Sequence, residues 1–340
     1  MGYRLGKNTI ILDSKPQVVS SYSVVGEKEQ EGPLGEKFDS IYTQKQQEDK
    51  SFEQAESFML KTAIENAISR AKLINSDINA IFTGDLLNQC TASNFAVRDL
   101  GVPLCGMYGA CSTMALSLVM ASLSIESGGF EHCVSATSSH FCTAERQFRK
   151  PLEYGGQRPP TAQWTVTGAG AVVLAKGEEN KKNLPYIHSV HLGTIQDLNI
   201  TDANNMGAAM APAARKTISD FLRDTQTKPS DYDLILTGDL GYVGSILLEQ
   251  LLIKQDQFDI SNVHKDCGIL IYNRKEQDVH AGGSGCGCSA SVLSSHILPA
   301  LKSGELENVL FVATGALMST TSSLQGESIL GIAHAVNFKR

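Results

Sequence analysis

Cys111, in the stretch YGACSTMA, is the side chain of this sequence most suited to chemistry. A Gly-Ala turn precedes it and a helix-forming run follows. Its thiol is therefore expected where unpaired N–H groups and the helix dipole favour a thiolate or a bound anion. That is the outline of a nucleophile elbow, and it equally describes a small buried cysteine capping a core helix. A second candidate is HAGGSGCGCSAS, in which Gly282, Gly283, Gly285 and Gly287 alternate with Cys286 and Cys288 after His280. Such a loop lets backbone approach a ligand or another chain segment closely, or forms a tight structural turn. It lacks the spacing of a dinucleotide fingerprint, and Cys-x-Cys alone is a poor metal site.

A third candidate, TAERQFRKPLEYGGQRP, gathers Arg146, Arg149, Lys150 and Arg158 around Phe148 and Tyr154. Guanidinium groups bind carboxylates through two parallel hydrogen bonds and stack on flat rings, which would suit a planar aromatic acid. Each arginine taken singly also fits a solvated face. His140 and His280 read either as catalytic bases or as satisfied structural histidines.

Composition limits what these groups can serve. The chain has 340 residues, 42% hydrophobic and 19% charged, enough for one large core or two ordinary ones. A net charge of −7 argues against broad nucleic-acid binding but leaves room for a local anion pocket. The start of the sequence lacks a charged segment followed by an apolar one, and its most apolar stretches are short and serine-laced. A soluble, unexported protein without a transmembrane segment is expected. The eight cysteines show no zinc spacing and read as reduced thiols of a cytoplasm-like compartment.

The elements that position these residues occur twice. SDINAIFTGDL begins at Ser76 and SDYDLILTGDL at Ser230, with seven of eleven residues identical. Before the first copy, Ser51 and Gln54 form a capping box for a helix carrying Phe52, Ala55, Met59, Ala63, Ile64, Ala67, Ile68 and Ala71. Before the second, APAARKTISDFL plays that part, with Pro212 expected in a first helical turn. Ala80 to Phe82 and Leu234 to Leu236 are too uniformly apolar for strands with one wet face and read as buried parallel strands. Downstream, CSTMALSLVMASLSIESGGFEHCVSATSS and CSASVLSSHILPALKSGELENVLFVATGA repeat the order small residue, helix, Ser-Gly stop, strand. KGEENKKNLP at 176–185 is the expected seam, giving halves 1–180 and 181–340. Helix and parallel strand alternating in two copies predicts a layered α/β fold with two sheets about a pseudo-twofold axis. Asp85 and Asp239 would lie at equivalent strand ends, where open α/β sheets bind ligands.

The duplicated plan and the Cys111 elbow resemble the thiolase and ketoacyl synthase superfamily. GPLG, TGDLLNQ, GACST, TSSH, TAERQFR, EYGGQRP, VTGAGAVVLAK, ITDANNMGAAMAPAA, DYDLILTGDL, DCGILIY, GGSGCGCSA and VATGAL are similar to the stage V sporulation protein AD family of spore formers. The resemblance implies a thiolase-like fold in α-β-α-β-α layers and a homodimer, expected through the central strands of the first half. It also implies binding of dipicolinic acid (pyridine-2,6-dicarboxylate), free or as its calcium chelate. Membrane proteins of the same operon would be partners in loading the acid into the developing spore, with the protein cytoplasmic or peripheral on the spore inner membrane. No cofactor, resident metal or nucleic acid is implied.

Condensing enzymes of the superfamily pair the cysteine with a histidine and with an asparagine or second histidine. Here Asp239 or its neighbours stand where the histidine-bearing turn would fall, and Cys286 near the asparagine-bearing turn. An ionised carboxylate opposes a developing enolate, so Claisen chemistry is disfavoured. A binding protein without catalysis is expected, with Asp85, Cys111, Thr137, His140, Arg146, Arg149, Asp239, His280 and Gly283 as ligand contacts. Asp85 is expected to meet the ligand directly or through water, and Asp239 to be held by backbone. The retained cysteine supports the alternative, a Cys-dependent acyltransferase or condensing enzyme.

Overall fold

The computed structural model describes residues 2–48, 50–148, 157–177 and 184–340. Ten of the thirteen described strands of the main sheet form two five-stranded halves, and the short strands Tyr3–Leu5, Thr9–Ile11 and Ser40–Tyr42 lie beside them. The first holds β1 (Gln17–Gly26), β2 (Ala80–Gly84), β3 (Leu104–Gly106), β4 (His132–Ser139) and β5 (Gly168–Ala175). The second holds β6 (Tyr186–His191), β7 (Leu234–Thr237), β8 (His264–Asp266), β9 (Asn308–Leu317) and β10 (Leu330–Lys339). The first runs β1-β5-β4-β2-β3 and the second β6-β10-β9-β7-β8, so both follow one order. Directions match as well: the fifth strand of each half is antiparallel to both neighbours, and the remaining pairs are parallel. The duplicated sequence has folded into duplicated topology. The two sheets meet edge to edge where Gln17 faces Tyr186. The expected seam at residue 180 lies outside the described residues.

The strands written as uniformly apolar runs, β2 and β7, are buried at every position. The capping box is present: Ser51 Oγ accepts from Gln54 N–H, and Gln54 Oε1 accepts from Ser51 N–H, opening α1 (Phe52–Arg70). With α2 (Thr91–Val97), α1 covers the outer face of the first sheet, burying Met59, Leu60, Ile64 and Ile68 against Val134 and Val173. α3 (Thr113–Glu126) lies in the middle layer, its Met114, Leu118 and Val119 in one core with Phe311, Leu293 and Phe338. α4 (Phe141–Phe148) follows β4. α5 (Met206–Thr225) and α6 (Gly241–Leu251) cover the second sheet. α7 (Cys286–Val292) enters the middle layer beside α3 and runs through a π-helical turn, Leu293–Ile297, into Leu298–Ser303. The layers are therefore α-β-α-β-α, as the resemblance implies.

One local expectation fails. Pro212 lies well inside α5, not in its first turn, because the helix starts earlier, at Met206. An interior proline costs about 3 kcal/mol, offset here by burial of Met210, Ala211, Ala213 and Ala214. The start of α5 crosses α6 glycine on glycine: a Cβ on Gly244 would sit 2.9 Å from the Gly207 Cα. Gly244→Ala is expected to destabilise the fold by about 1–3 kcal/mol through forced separation of the helices. Urea unfolding of the variant checks this, and an unchanged midpoint would refute the tight crossing.

Candidate functional site

The site forms where the elbow of the first half meets the turns of the second. Ala110 takes φ +50°, a left-handed conformation that non-glycine residues hold only when their surroundings enforce it. The enforcing contacts are local. Ser112 Oγ donates to Gly109 O (2.6 Å), Thr113 Oγ1 donates to Ala110 O (2.6 Å), and Gly109 N–H donates to Thr113 Oγ1 (3.2 Å). Gly315 of β9 packs against this elbow, and a Cβ there would meet Gly109 O at 2.5 Å. Cys111 is thereby presented at the head of α3, buried, yet lining a cavity of about 440 Å³.

Two donors converge on the Asp239 carboxylate, Gly285 N–H (2.8 Å) and Thr314 Oγ1 (3.0 Å), and the Cys111 thiol lies near enough to feel its charge. Gln163 Nε2 clamps the turn by donating to Asp239 O (2.7 Å) and Gly283 O (2.8 Å). Burial pushes the Asp239 carboxyl up to about 7. Burial, and next the negative charge of Asp239, hold the Cys111 thiol well above its ordinary range. Cys111 is thus a neutral thiol, not the thiolate that its place at a helix N-terminus suggests. Desolvation and the facing carboxylate outweigh the helix dipole. Cys286 completes the group: its Sγ lies 3.0 Å from Ser138 O, and Thr137 Oγ1 donates to its carbonyl at 2.9 Å. Gly285 takes φ +102°, and a Cβ there would meet Ser139 Oγ at 2.7 Å, so the glycine loop is a tight turn as well as part of the site.

The structure separates the twin aspartates. Asp85 does not line the cavity. Its Oδ1 accepts from Leu87 N–H (2.8 Å), and its Oδ2 accepts from Ser93 N–H (2.8 Å) and Ser93 Oγ (2.7 Å). Half of the expected arrangement fails: Asp85 is tied to backbone away from the cavity, whereas Asp239 is held by backbone as expected, through Gly285 N–H. The reason lies downstream of each copy. After the first, Leu87 and Ser93 supply donors within one loop. After the second, Asp266 takes the turn amides of Leu240 (2.9 Å) and Gly241 (3.0 Å), releasing Asp239.

The remaining candidates are scattered. His140 faces Phe52 and accepts Cys142 N–H through Nδ1 (3.2 Å), and burial lowers it to about 4, so it stays neutral. It lines a separate cleft with Trp164 and Phe141. Arg146 is half exposed and paired with Glu53. His280 pairs with Asp278 (3.3 Å). Gly283 belongs to a two-residue strand beside Trp164–Thr165. Arg149 lies outside the described residues. Sequence reasoning missed most of the cavity wall: Leu86, Tyr108, Gln147, Thr165, Met206 and the 316–321 segment. It also missed Thr314, although VATGA matches SATSS and so sets Thr314 beside Thr137 in the repeat. No lysine, arginine or histidine is among the described residues lining this cavity.

Similar solved structures place this architecture among thiolase-fold proteins. 3-Oxoacyl-[acyl-carrier-protein] synthase III from Aquifex aeolicus superposes with a TM-score of 0.56 at 13% identity, covering 96% of this chain and 100% of that one. OleA from Xanthomonas campestris gives 0.61 at 12%, covering 99% and 98%. Human mitochondrial 3-ketoacyl-CoA thiolase gives 0.57 at 13%, covering 97% and 99%. At such identities the likeness is one of fold. Sequence narrows the class: residues 6–339 match the family model of stage V sporulation protein AD. The Bacillus subtilis stage V sporulation protein AD is 45% identical over 335 residues, covering 98% of this chain and 97% of that protein. The chain belongs to the stage V sporulation protein AD family.

Proposed function

We propose that the cavity at Cys111 binds dipicolinic acid without covalent chemistry, and that the protein takes part in the uptake of that acid into the developing spore. The observation that carries this reading is the pairing of Cys111 with Asp239. It keeps the thiol protonated and puts an acid where a condensing enzyme would need a base or a cationic donor. Donors suited to a carboxylate line the cavity: the hydroxyls of Ser284, Ser319 and Thr320 and the amide of Asn88, beside apolar Leu86 and Phe148 that suit a flat ring, while Tyr108 and Gln147 donate to Asn88 Oδ1 and Thr165 donates to Glu145. The free acid or its calcium chelate is the ligand, and membrane proteins of the same operon are its onward partners. No helix among the described residues is long and apolar enough to cross a membrane.

Equilibrium binding tests the reading directly. Pyridine-2,6-dicarboxylate should bind more tightly than pyridine-2-carboxylate, because its second carboxylate meets additional donors. Equal affinities would remove the dicarboxylate site. The fold and the retained cysteine favour a second reading, acyl transfer. Mass spectrometry after incubation with acyl thioesters separates the two, since only an acyltransferase gains acyl mass on Cys111.

A homodimer belongs to this proposal, but its expected contact shifts. The central strands β1, β5 and β4 are hydrogen-bonded on both sides. The free edge of the first sheet is β3, with Leu104 and, beyond it, Tyr108 exposed. Pairing through β3 would cover that edge. Light scattering at micromolar concentration should report a dimer, and Leu104→Pro on β3, which removes an N–H facing the open edge, should give monomers.

A further inference from the structure

We propose that Asn88 is the residue by which the cavity selects a carboxylate: its side-chain amide is held with the nitrogen end free to donate to the ligand. This rests on the reading of the cavity as a dipicolinate site. The orientation follows from what each neighbour is able to do. Gln147 Nε2, from α4, lies 3.1 Å from Asn88 Oδ1, and an amide nitrogen only donates, so the Asn88 atom it meets is the oxygen. Turned the other way, two NH2 groups would face each other. Gln147 is oriented in turn by Leu86 O, a carbonyl that only accepts, at 3.5 Å from the same nitrogen. The Tyr108 hydroxyl, beyond β3, lies 3.4 Å from Asn88 Oδ1 as a second, longer donor. With Oδ1 filled, Nδ2 is the end left over, and among the described residues it has no acceptor. Asn88 is exposed and lines the cavity.

The backbone beneath Asn88 is fixed as well. Gln89 and Cys90 are successive left-handed residues, at φ +59° and +52°, a conformation that non-glycine residues keep only where contacts enforce it. Three contacts do so. Thr91 Oγ1 donates to Asn88 O (2.8 Å), Asn94 Nδ2 donates to Gln89 O (2.8 Å), and Cys90 Sγ lies 3.3 Å from Met107 O. The other donors of the cavity lack this constraint. The hydroxyls of Ser284, Ser319 and Thr320 rotate, and each can give a hydrogen or take one. They suit a donor or an acceptor on the ligand equally, so they bind without discriminating. No lysine, arginine or histidine is among the described residues lining the cavity, so the fixed Asn88 amide is the group that sets what the ligand must present. Its N–H bonds meet a carboxylate oxygen through a charge-assisted hydrogen bond. An N–H of a carboxamide placed there would meet another donor and stay unsatisfied.

Equilibrium binding of dipicolinate and of its neutral analogue, pyridine-2,6-dicarboxamide, to the full chain tests the assignment. Wild type should take dipicolinate in preference to the diamide. Asn88→Ala should weaken dipicolinate binding about tenfold. Asn88→Asp keeps the shape and turns the donor into an acceptor, so it should weaken dipicolinate further and strengthen the diamide, reversing the preference. The rise in diamide affinity is the diagnostic readout. A disturbed fold lowers both affinities, and a charge remote from the ligand leaves the diamide unchanged. Gln147→Leu should weaken dipicolinate severalfold in the wild-type background and not in Asn88→Ala, because it acts through Asn88. An equal loss in both backgrounds would overturn the orientation. Unchanged dipicolinate affinity in Asn88→Ala, or a diamide that gains nothing in Asn88→Asp, would overturn the proposal and leave the dipicolinate site standing. No dipicolinate binding by folded wild type would remove that site, and the proposal with it.

Discussion

Glu56→Gln is expected to flatten the dependence of stability on pH between 5 and 8. Glu56 projects from α1 into a fully buried space, with Ser138 Oγ at 3.1 Å from Oε1 and Thr143 Oγ1 at 2.8 Å from Oε2. Thr143 Oγ1 also lies 2.9 Å from His140 O, a carbonyl oxygen that can only accept. One hydroxyl hydrogen cannot serve both oxygens. A protonated Glu56 resolves the conflict by donating to Thr143, whose hydrogen then goes to His140 O. Burial, and next the charge of Asp85, push Glu56 up to about 8. The folded value exceeds the unfolded one, so the native state holds the extra proton. Stability is fully present below the ordinary 4.5 and is lost as pH rises toward 8. At ~1.4 kcal/mol per pH unit, that window sets an upper limit of about 5 kcal/mol. A glutamine amide reproduces the neutral acid, donating to Thr143 and accepting from Ser138. The remaining slope belongs to Glu29, Asp85, Asp239 and Asp266, also raised by burial, and with opposite sign to His140, His188 and His334, which burial lowers to about 4. Urea unfolding of both proteins from pH 5 to 8 measures the difference, and parallel slopes would mean that Glu56 is ionised throughout.

Asp85→Ala should cost about 3–5 kcal/mol, the second large effect. It strands the buried amides of Leu87 and Ser93, which have no other side-chain acceptor among the described residues, and each unsatisfied donor costs about 1–3 kcal/mol. Asp85→Asn should fall between, since one amide oxygen cannot replace two carboxylate oxygens. Where Asp85→Asn folds, its ligand affinity should change less than that of Asp239→Asn, because Asp85 lies behind the cavity wall. A loss confined to less than 1 kcal/mol in Asp85→Ala would contradict the capping role.

These two carboxylates also mark the limit of what the sequence disclosed. The repeat, the capping box at Ser51, the buried strands and the layer order were legible because period, propensity and apolar uniformity are local properties. Thr-Gly-Asp-Leu is likewise local, and it placed both aspartates at equivalent strand ends. Their separate roles depend on donors remote in the chain: Gly285 and Thr314 for Asp239, and Asp266 as the substitute at its turn. Arg146 and His140 carry suitable chemistry for an aromatic acid, but α4 directs Ala144, Gln147 and Phe148 to the cavity, while Arg146 pairs with Glu53. The 316–321 wall has no periodicity and no charge, so nothing in its composition announces it.

The strand order carries a further consequence for synthesis on the ribosome. In each sheet the fifth strand lies between the first and the fourth, yet it is translated after both. The nascent chain must therefore hold β1 and β4, and later β6 and β9, with unpaired edges until β5 and β10 emerge and insert between them. Such open edges recruit neighbouring chains. A delay in the insertion of β10 would extend the life of this half-built second sheet, whose Leu310, Phe311 and Val312 lie buried in the finished fold. Misassembly during production should therefore concentrate in the interval before β10 appears.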